Sequence, residues 1–337
     1  MRTHPARRVS WIVLIALGAA LLLSVTVGSV FIPPGDLLRA LFSRAGDSPF
    51  ATILLDLRLP RTLLIAMTGA ALACSGTSYQ GLFRNPLADP YLIGVASGAG
   101  LGAVAAMSFK WPYTTLGLLA VPLAAFIVGV ITAAVVYSLA RSGRSLPVTN
   151  LILAGVAVSS FATALTSFLM LQADGELRRA LVWLLGGSTL SGWQPVLALL
   201  PYWLVGLGVL VTMGHALNVL QFGDEQAQQL GLPVARARRI LITAASLTTA
   251  AAVAFAGVIG FVGLIVPHIL RRTVGGDYRR LLALSIPAGA AFLLFSDVIA
   301  RVVLAPQELP VGVITALAGA PFFLWILRRT RSQPDWS

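Results

Sequence analysis

Few side chains in this sequence have the types and spacing that catalysis requires. A phosphate-binding GxxxxGK[ST] loop needs a lysine that follows a glycine, but the only lysine is Lys110, which lies between Phe109 and a tryptophan. The sequence holds no HExxH, CxxC or GxSxG motif, and its three histidines are far apart. We therefore expect no enzymatic activity and no cofactor in this chain.

One carboxylate lies where ion-coupled transport would need it. Asp297 sits in the apolar stretch FLLFSDVIARVV, and carboxylates inside a membrane often carry protons or sodium ions. Arg301 follows four residues later, a spacing that favours an ion pair on one face of a helix. We interpret the two residues as a structural pair, so the energy for any transport must come from a separate protein.

The composition is that of a membrane protein. Hydrophobic residues make up 57% of the 337 residues and charged residues only 11%, against about a quarter charged in soluble domains. At roughly 20 residues per span, this is enough for about nine or ten transmembrane helices. The net charge of +12 could suggest a nucleic-acid partner, but the arginines cluster between apolar segments, as they do in cytoplasmic loops. We expect an all-α polytopic protein that contacts membrane lipid and no nucleic acid.

Apolar segments recur along the whole sequence. They are 11–31, 62–82, 91–108, 116–139, 149–171, 194–213, 240–256, 258–270, 281–304 and 310–328. With both termini inside, about twice as many basic residues fall in the inner connections as in the outer ones, as the positive-inside rule requires. The outer connections then include a long loop, 32–61, and an interfacial helix in 172–193 with Trp183 and Trp193 as anchors. The longest inner loop is 214–239.

A polar break separates the second and third segments. In FRNPLADPYLIG, Asp89 is a predicted helix N-cap and Pro90 suits the first position of the helix. Glycines follow at every fourth position: Gly94, Gly98 and Gly102. A stripe of small residues lets two helices approach closely, so we expect tight helix packing there rather than a ligand site.

The long inner loop contains a predicted short helix. In GDEQAQQLGLP, residues 223–233, the pattern predicts a helix over residues 224–230 that Gly223 or Asp224 caps. Gly231 and Pro233 end it. A solvated polar loop is the alternative interpretation.

Four motifs together carry a family resemblance. They are LRLPRTLLIAMTGAALACSGTSYQGLFRNPLADPYLIGVASGAG (57–100), GDEQAQQLGLP (223–233), AGVIGFVGLIVPHILRR (256–272) and ELPVGVITALAGAPFFLWIL (308–327). In this order they resemble the FecCD-type permease subunits of bacterial ABC importers for iron-siderophores, haem and cobalamin. The resemblance implies a type II ABC importer permease fold with about ten transmembrane helices per subunit. It also implies a second copy of the chain, two cytoplasmic ABC ATPase subunits that hold ATP and magnesium, and an external substrate-binding protein.

The resemblance also implies three sets of site residues. The coupling helix that seats in the ATPase corresponds to Asp224, Glu225, Ala227, Gln228, Leu230 and Gly231. The basic residues that dock carboxylates of the binding protein correspond to Arg58, Arg61 and Arg301, for which anchoring to lipid headgroups is the alternative. The wall of the translocation path corresponds to Leu153, Val156, Ser160, Thr163, Ser167 and Met170.

The sequence as a whole predicts one transmembrane permease domain, residues 1–337, in the bacterial cytoplasmic membrane with both termini in the cytoplasm. We expect a ferric siderophore as cargo, with haem or cobalamin as alternatives that no residue separates. A proton-driven secondary transporter and a polytopic membrane enzyme are the other classes. Transport by the chain alone under a pH gradient would favour the first, and partner-free activity that depends on His268 would favour the second.

Overall fold

The computed structural model describes residues 4–28, 35, 49–109, 115–141, 147–172, 177–187 and 192–331. In chain order the helices are α1 His4–Thr26, α2 Leu59–Leu82, α3 Val95–Met107, α4 Thr115–Ala140, α5 Val148–Gln172, α6 Leu177–Leu184, α7 Trp193–Thr212, α8 Gly214–Leu220, α9 Asp224–Gln229, α10 Val234–Ala256, α11 Val262–Val274, α12 Tyr278–Val302 and α13 Val311–Arg331. Each predicted apolar segment overlaps one of these helices, and residues 29–31 of the first segment lie outside the described residues. The predicted all-α fold is confirmed.

Six of the helices are long and apolar enough to cross a membrane. They are α1, α4, α5, α7, α10 and α12, with α3 and Val311–Ile326 of α13 as shorter apolar helices. A helix of 20 residues is about 30 Å long, which matches the hydrocarbon thickness of a bilayer. These lengths agree with a polytopic membrane protein.

The central helix, α2, carries several hydroxyl side chains, and the protein around it shields them from lipid. It is buried along almost its whole length and packs on α10, α11 and α12. Its hydroxyl groups find partners inside the protein: Thr77 Oγ1 lies 2.6 Å from Ser285 Oγ, and the Tyr79 hydroxyl lies 2.8 Å from Ser246 Oγ. Gly69 contributes no side chain, and a Cβ there would overlap the carbonyl oxygen of Gly289 on α12. Small residues therefore set the close packing of α2 and α12.

The break between α2 and α3 has the predicted N-cap, but the turn that follows it is not an α-helix. Asp89 Oδ1 accepts a hydrogen bond from the Tyr91 backbone N–H at 2.8 Å, as predicted. The turn it caps, Pro90–Ile93, is a 3₁₀ helix that ends at Gly94 with a left-handed φ of 79°. The third segment therefore begins at Val95 rather than at residue 91. Gly98 and Gly102 pack against α4, as the glycine stripe predicts.

Three connections differ from the expected loops. Helix α10 already begins at Val234, so the C-terminal part of the predicted inner loop 214–239 is helical. Residues Pro49–Thr52 and the π-helical Ile53–Arg58 run without a break into α2, while most of 32–48 lies outside the described residues. Trp183 is only 2% exposed and is no interface anchor, because α6 turns this side chain toward the protein.

A side-chain network fixes the start of α12. Asp277 Oδ1 accepts hydrogen bonds from the Arg279 backbone N–H at 3.0 Å and from the Asn218 side-chain amide at 2.7 Å. Asn218 Oδ1 accepts in turn from the Tyr278 backbone N–H at 2.8 Å. The hydrogen bond from Asn218, then the backbone bond and the nearby arginines, lower the pKa of Asp277. This carboxylate therefore ties α8 to the first turn of α12.

Candidate functional site

The predicted coupling helix is present as α9. Gly223 precedes it with a φ of 99°, and Gly231 follows Leu230 with a φ of 84°, so both ends use a backbone conformation that favours glycine. The Leu232 backbone N–H closes the turn by donating to the Ala227 carbonyl at 3.0 Å. The helix predicted over residues 224–230 is confirmed within one residue.

Two contacts hold α9 to the rest of the protein. Ala227 is fully buried, and Asp224 Oδ1 accepts from Arg238 Nη2 on α10 at 2.7 Å. Helix α9 touches α8 and α10, the next helices along the chain in each direction. An ion pair therefore joins α9 to the start of α10, and one small apolar side chain joins it to the core.

The outer surface of α9 is available to a partner. Glu225 and Gln228 are exposed, and Leu230 is 66% exposed. Phe222 just before the helix is 64% exposed, so a large apolar side chain stands at each end of a short polar helix. The family motif begins at Gly223 and does not include Phe222. A phenylalanine in a polar loop nevertheless indicates a candidate contact residue from the sequence. Both side chains are accessible to a partner at this end of the protein.

The predicted path residues share one face of α5. Leu153, Val156, Ser160, Thr163 and Ser167 are exposed, and Met170 is half-buried. Val156, Ser160, Thr163 and Ser167 line a groove of about 770 Å³. The structure thus brings together most of the path residues that the sequence selected.

The groove also includes the polar break, which the path prediction omitted. Asp89 and Tyr91 line it beside Gly155 of α5. Gly155 has no side chain and so allows Leu92 to contact α5 closely. The Tyr91 hydroxyl donates to the Ile259 carbonyl at 2.8 Å, which links the groove wall to the connection between α10 and α11. The groove is therefore lined by the long helix α5 and by the polar break between α2 and α3, which is hydrogen-bonded to the α10–α11 connection.

The groove wall has few groups that could hold a ligand tightly. Ser167 Oγ donates to the Thr163 carbonyl at 3.0 Å, and Ser97 Oγ donates to Ser159 Oγ at 3.1 Å. The aliphatic side chains of the wall are those of Leu92, Val156 and Ala164. Of the described residues that line the groove, only Asp89 carries a charge, and its carboxylate is engaged in the cap. The wall suits passage of a bulky molecule more than its retention.

The three predicted docking arginines lie together at one end of the helices. Asp297 is 1% exposed and pairs with Arg61 at 2.9 Å and with Arg301 at 3.0 Å. The predicted Asp297–Arg301 ion pair is confirmed. Arg61 also pairs with Glu308 at 2.6 Å. The cluster joins the start of α2 to the end of α12.

Two of these arginines are not surface groups in this structure. Arg58 is 7% exposed and donates to the carbonyls of Val25 and Thr26 at 2.6 and 2.9 Å. Arg301 is 4% exposed and donates to the Ser24 carbonyl at 3.1 Å. The side chain of Arg61 is 38% exposed. Docking to a partner stays a prediction for all three, and Arg61, whose guanidinium pairs with Asp297 and Glu308, is the most exposed of them.

The arginine cluster and the short helix α9 lie toward opposite ends of α2. Arg61 stands at its first turn, and near its last turn the Gly81 carbonyl accepts from Gln221 Nε2 at 2.9 Å. At 1.5 Å per residue, the axial distance between Arg61 and Gly81 is about 30 Å, the thickness of the hydrocarbon core. The two candidate interaction sites are thus separated by about one membrane thickness.

A helical membrane protein with a groove along one helix and a short helix with an exposed surface at one end has features of a permease subunit. The profile of the FecCD transport family matches residues 14–329. The chain therefore belongs to the FecCD transport family and is an ABC importer permease.

Relatives and a solved structure agree with this family. The chain is 48% identical over 272 residues to the "Cobalamin import system permease protein BtuC" of Halobacterium salinarum, which covers 81% of this chain and 72% of that protein. It is 38% identical to the "Hemin transport system permease protein HmuU" of Yersinia pestis, over 88% of this chain and 89% of that protein. A structure assigned to the metal-chelate type of ABC transporter in an inward-facing conformation matches with a TM-score of 0.84 and 30% identity, covering 96% of this chain and 99% of that one. The type II permease fold is confirmed.

Proposed function

We propose that two copies of this chain form the passage through which a metal chelate enters a bacterial cell across the cytoplasmic membrane. An external binding protein delivers the chelate at the arginine cluster, and two cytoplasmic ABC ATPase subunits drive the passage through α9. The observation that carries the proposal is α9 itself, a rigid helix anchored on α10 with exposed apolar residues at both ends. Both termini then lie in the cytoplasm, on the side of α9.

The contacts of α9 explain how closure of an ATPase dimer can move this chain. The Asp224–Arg238 pair binds the first turn of α9 to the first turns of α10. Ala227 is buried at the base of the helix. A partner that displaces Leu230 therefore moves α10, and α10 packs on the central helix α2. The movement reaches the core without any nucleotide bound to this chain.

The cargo class follows from the groove and the relatives together. The groove of about 770 Å³ is large enough for part of a bulky chelate, and its wall offers no set of metal ligands among the described residues. A chelate can leave such a wall easily because its metal stays fully coordinated. Relatives named for cobalamin and for haem favour these cargoes over the ferric siderophore that the sequence predicts, and cobalamin is the first to test.

The coupling role can be tested by binding of the ATPase. In the variant L230D a charge replaces an exposed leucine on α9, so we expect the ATPase subunit to co-purify at least tenfold less than with the natural chain. The matched control is L304D, because Leu304 is 54% exposed in the turn after α12, at the opposite end of the protein. Equal recovery of the ATPase with L230D and L304D would contradict the coupling role.

The cargo can be tested by complementation. Three bacterial strains, lacking their own permease for cobalamin, haem or a ferric siderophore, would receive this chain with its own ATPase and binding protein. We expect growth to be restored in the cobalamin strain, with the other two strains as alternatives. Restoration in none of the three would contradict the proposed cargo class, provided that the ATPase co-purifies with the chain.

A further inference from the structure

A second groove lies between α7 and α10, and neither α5 nor the polar break lines it. It measures about 730 Å³. On α7 its wall includes Tyr202, Val205 and Val209, and on α10 it extends from Arg236 to Leu247. Gly206 at its edge packs directly on Thr248. The groove is thus an apolar channel between two long helices that each can span a membrane.

The length of this groove matches one leaflet of a bilayer. From Arg236 to Leu247 the axial rise along α10 is about 16 Å, at 1.5 Å per residue. Half of the hydrocarbon core is about 15 Å thick. A groove that starts at the basic end of α10 and extends this far ends near the middle of the membrane.

The charges at the groove are all of one sign. Arg236 and Arg239 line its end, both side chains are exposed, and no described carboxylate lies within ion-pair distance of either. Arg238 between them points elsewhere, to Asp224 on α9. Two guanidinium groups one helical turn apart can share the two free oxygens of one phosphodiester, because each makes charge-assisted hydrogen bonds with oxygen anions.

We propose that this groove binds one anionic phospholipid of the inner leaflet. Arg236 and Arg239 bind its phosphate, and one acyl chain fills the channel beside Val205. Basic pockets between transmembrane helices are suited to such headgroups. A free phosphate would contact the arginines but would leave the apolar part of the groove below them unfilled. This site involves neither α9 nor the α5 groove, and it shares the first turns of α10 with the coupling route proposed above.

The experiment uses the full-length chain in lipid nanodiscs of phosphatidylcholine with added phosphatidylglycerol. Native mass spectrometry measures how many phosphatidylglycerol molecules stay bound, and a phosphatidylglycerol with a photoreactive acyl chain reports where the chain lies. We expect one retained molecule and cross-links to 201–209 or 236–247. In R236Q/R239Q we expect about 25-fold weaker retention, at about fivefold for each arginine near the surface.

Two controls separate the headgroup from the acyl chain. R279Q/R280Q removes two exposed arginines outside the groove at the start of α12, and we expect retention within twofold of the natural chain. V205W fills the channel and leaves both arginines, so we expect the cross-links to disappear from the groove. If inorganic phosphate competed for the site as strongly as phosphatidylglycerol does, the lipid assignment would be overturned. Equal loss in the two arginine variants, or the absence of lipid cross-links to 201–209 and 236–247 in the natural chain, would overturn it as well.

Discussion

The buried carboxylate Asp297 should be the most sensitive charged residue of the fold. It is 1% exposed, and it neutralises Arg301, which is 4% exposed, while also pairing with Arg61. In D297N, Arg301 keeps its bonds to the Ser24 carbonyl but loses its counter-charge. Removing one partner of a buried ion pair costs about 3–5 kcal/mol, so we expect a loss of that size in the free energy of unfolding.

Glu308 offers a matched control because it pairs with the same arginine. The side chains of Arg61 and Glu308 are 38% and 40% exposed, and exposed pairs contribute about 0–1 kcal/mol. We expect E308Q to stay within that range. The double variant D297N/R301Q should be less destabilised than D297N, because no uncompensated buried charge remains in the inner pair.

The assay is titration of the purified protein from mild detergent into sodium dodecyl sulfate, with helix content followed by circular dichroism. The order of stability that we expect is natural chain, E308Q, D297N/R301Q and D297N. A D297N variant within about 1 kcal/mol of the natural chain would refute the reasoning, and so would an E308Q variant as unstable as D297N.

Three further predictions concern packing, a helix cap and docking. G69L should destabilise the protein by about 1–3 kcal/mol or more through overlap with the backbone of α12, whereas G208L, where a Cβ meets nothing within 4 Å, should change the melting temperature little. D277A should cost about 1 kcal/mol at neutral pH. Because the pKa of Asp277 is lowered in the folded protein, its stabilisation is complete above about pH 5, and the difference between D277A and the natural chain should shrink as pH falls toward about 3 in thermal melts. R61Q should weaken binding of the external protein in a salt-dependent way while R58Q should mainly lower stability, and equal, salt-independent binding by both variants would contradict the docking role.

Much of the fold could be predicted from local sequence features. Each apolar segment overlaps a helix, and for six of the helices hydrophobic length is itself sufficient to cross a bilayer. The Asp297–Arg301 pair follows from spacing along one helix. The Asp89 cap follows from the residue types next to a proline. These features depend on neighbours within a few residues.

Features that depend on distant parts of the chain could not be predicted. Nothing local to Arg58 shows that it meets the carbonyls at the end of α1, so its burial came from the structure. Arg61 looked like a docking residue because its partners on and after α12 are far away in sequence. Trp183 looked like an interface anchor for the same reason. The α7–α10 groove likewise exists only when two helices that are separated in sequence pack together.

The most direct test of the account is transport by purified components. Proteoliposomes would contain the chain with the external binding protein and its cargo, with or without the ATPase subunits and internal ATP. We predict accumulation only when ATPase and ATP are both present, and its loss with L230D. Accumulation against a gradient by the chain without the ATPase, with or without a pH gradient, would contradict the claim that this permease is driven through α9.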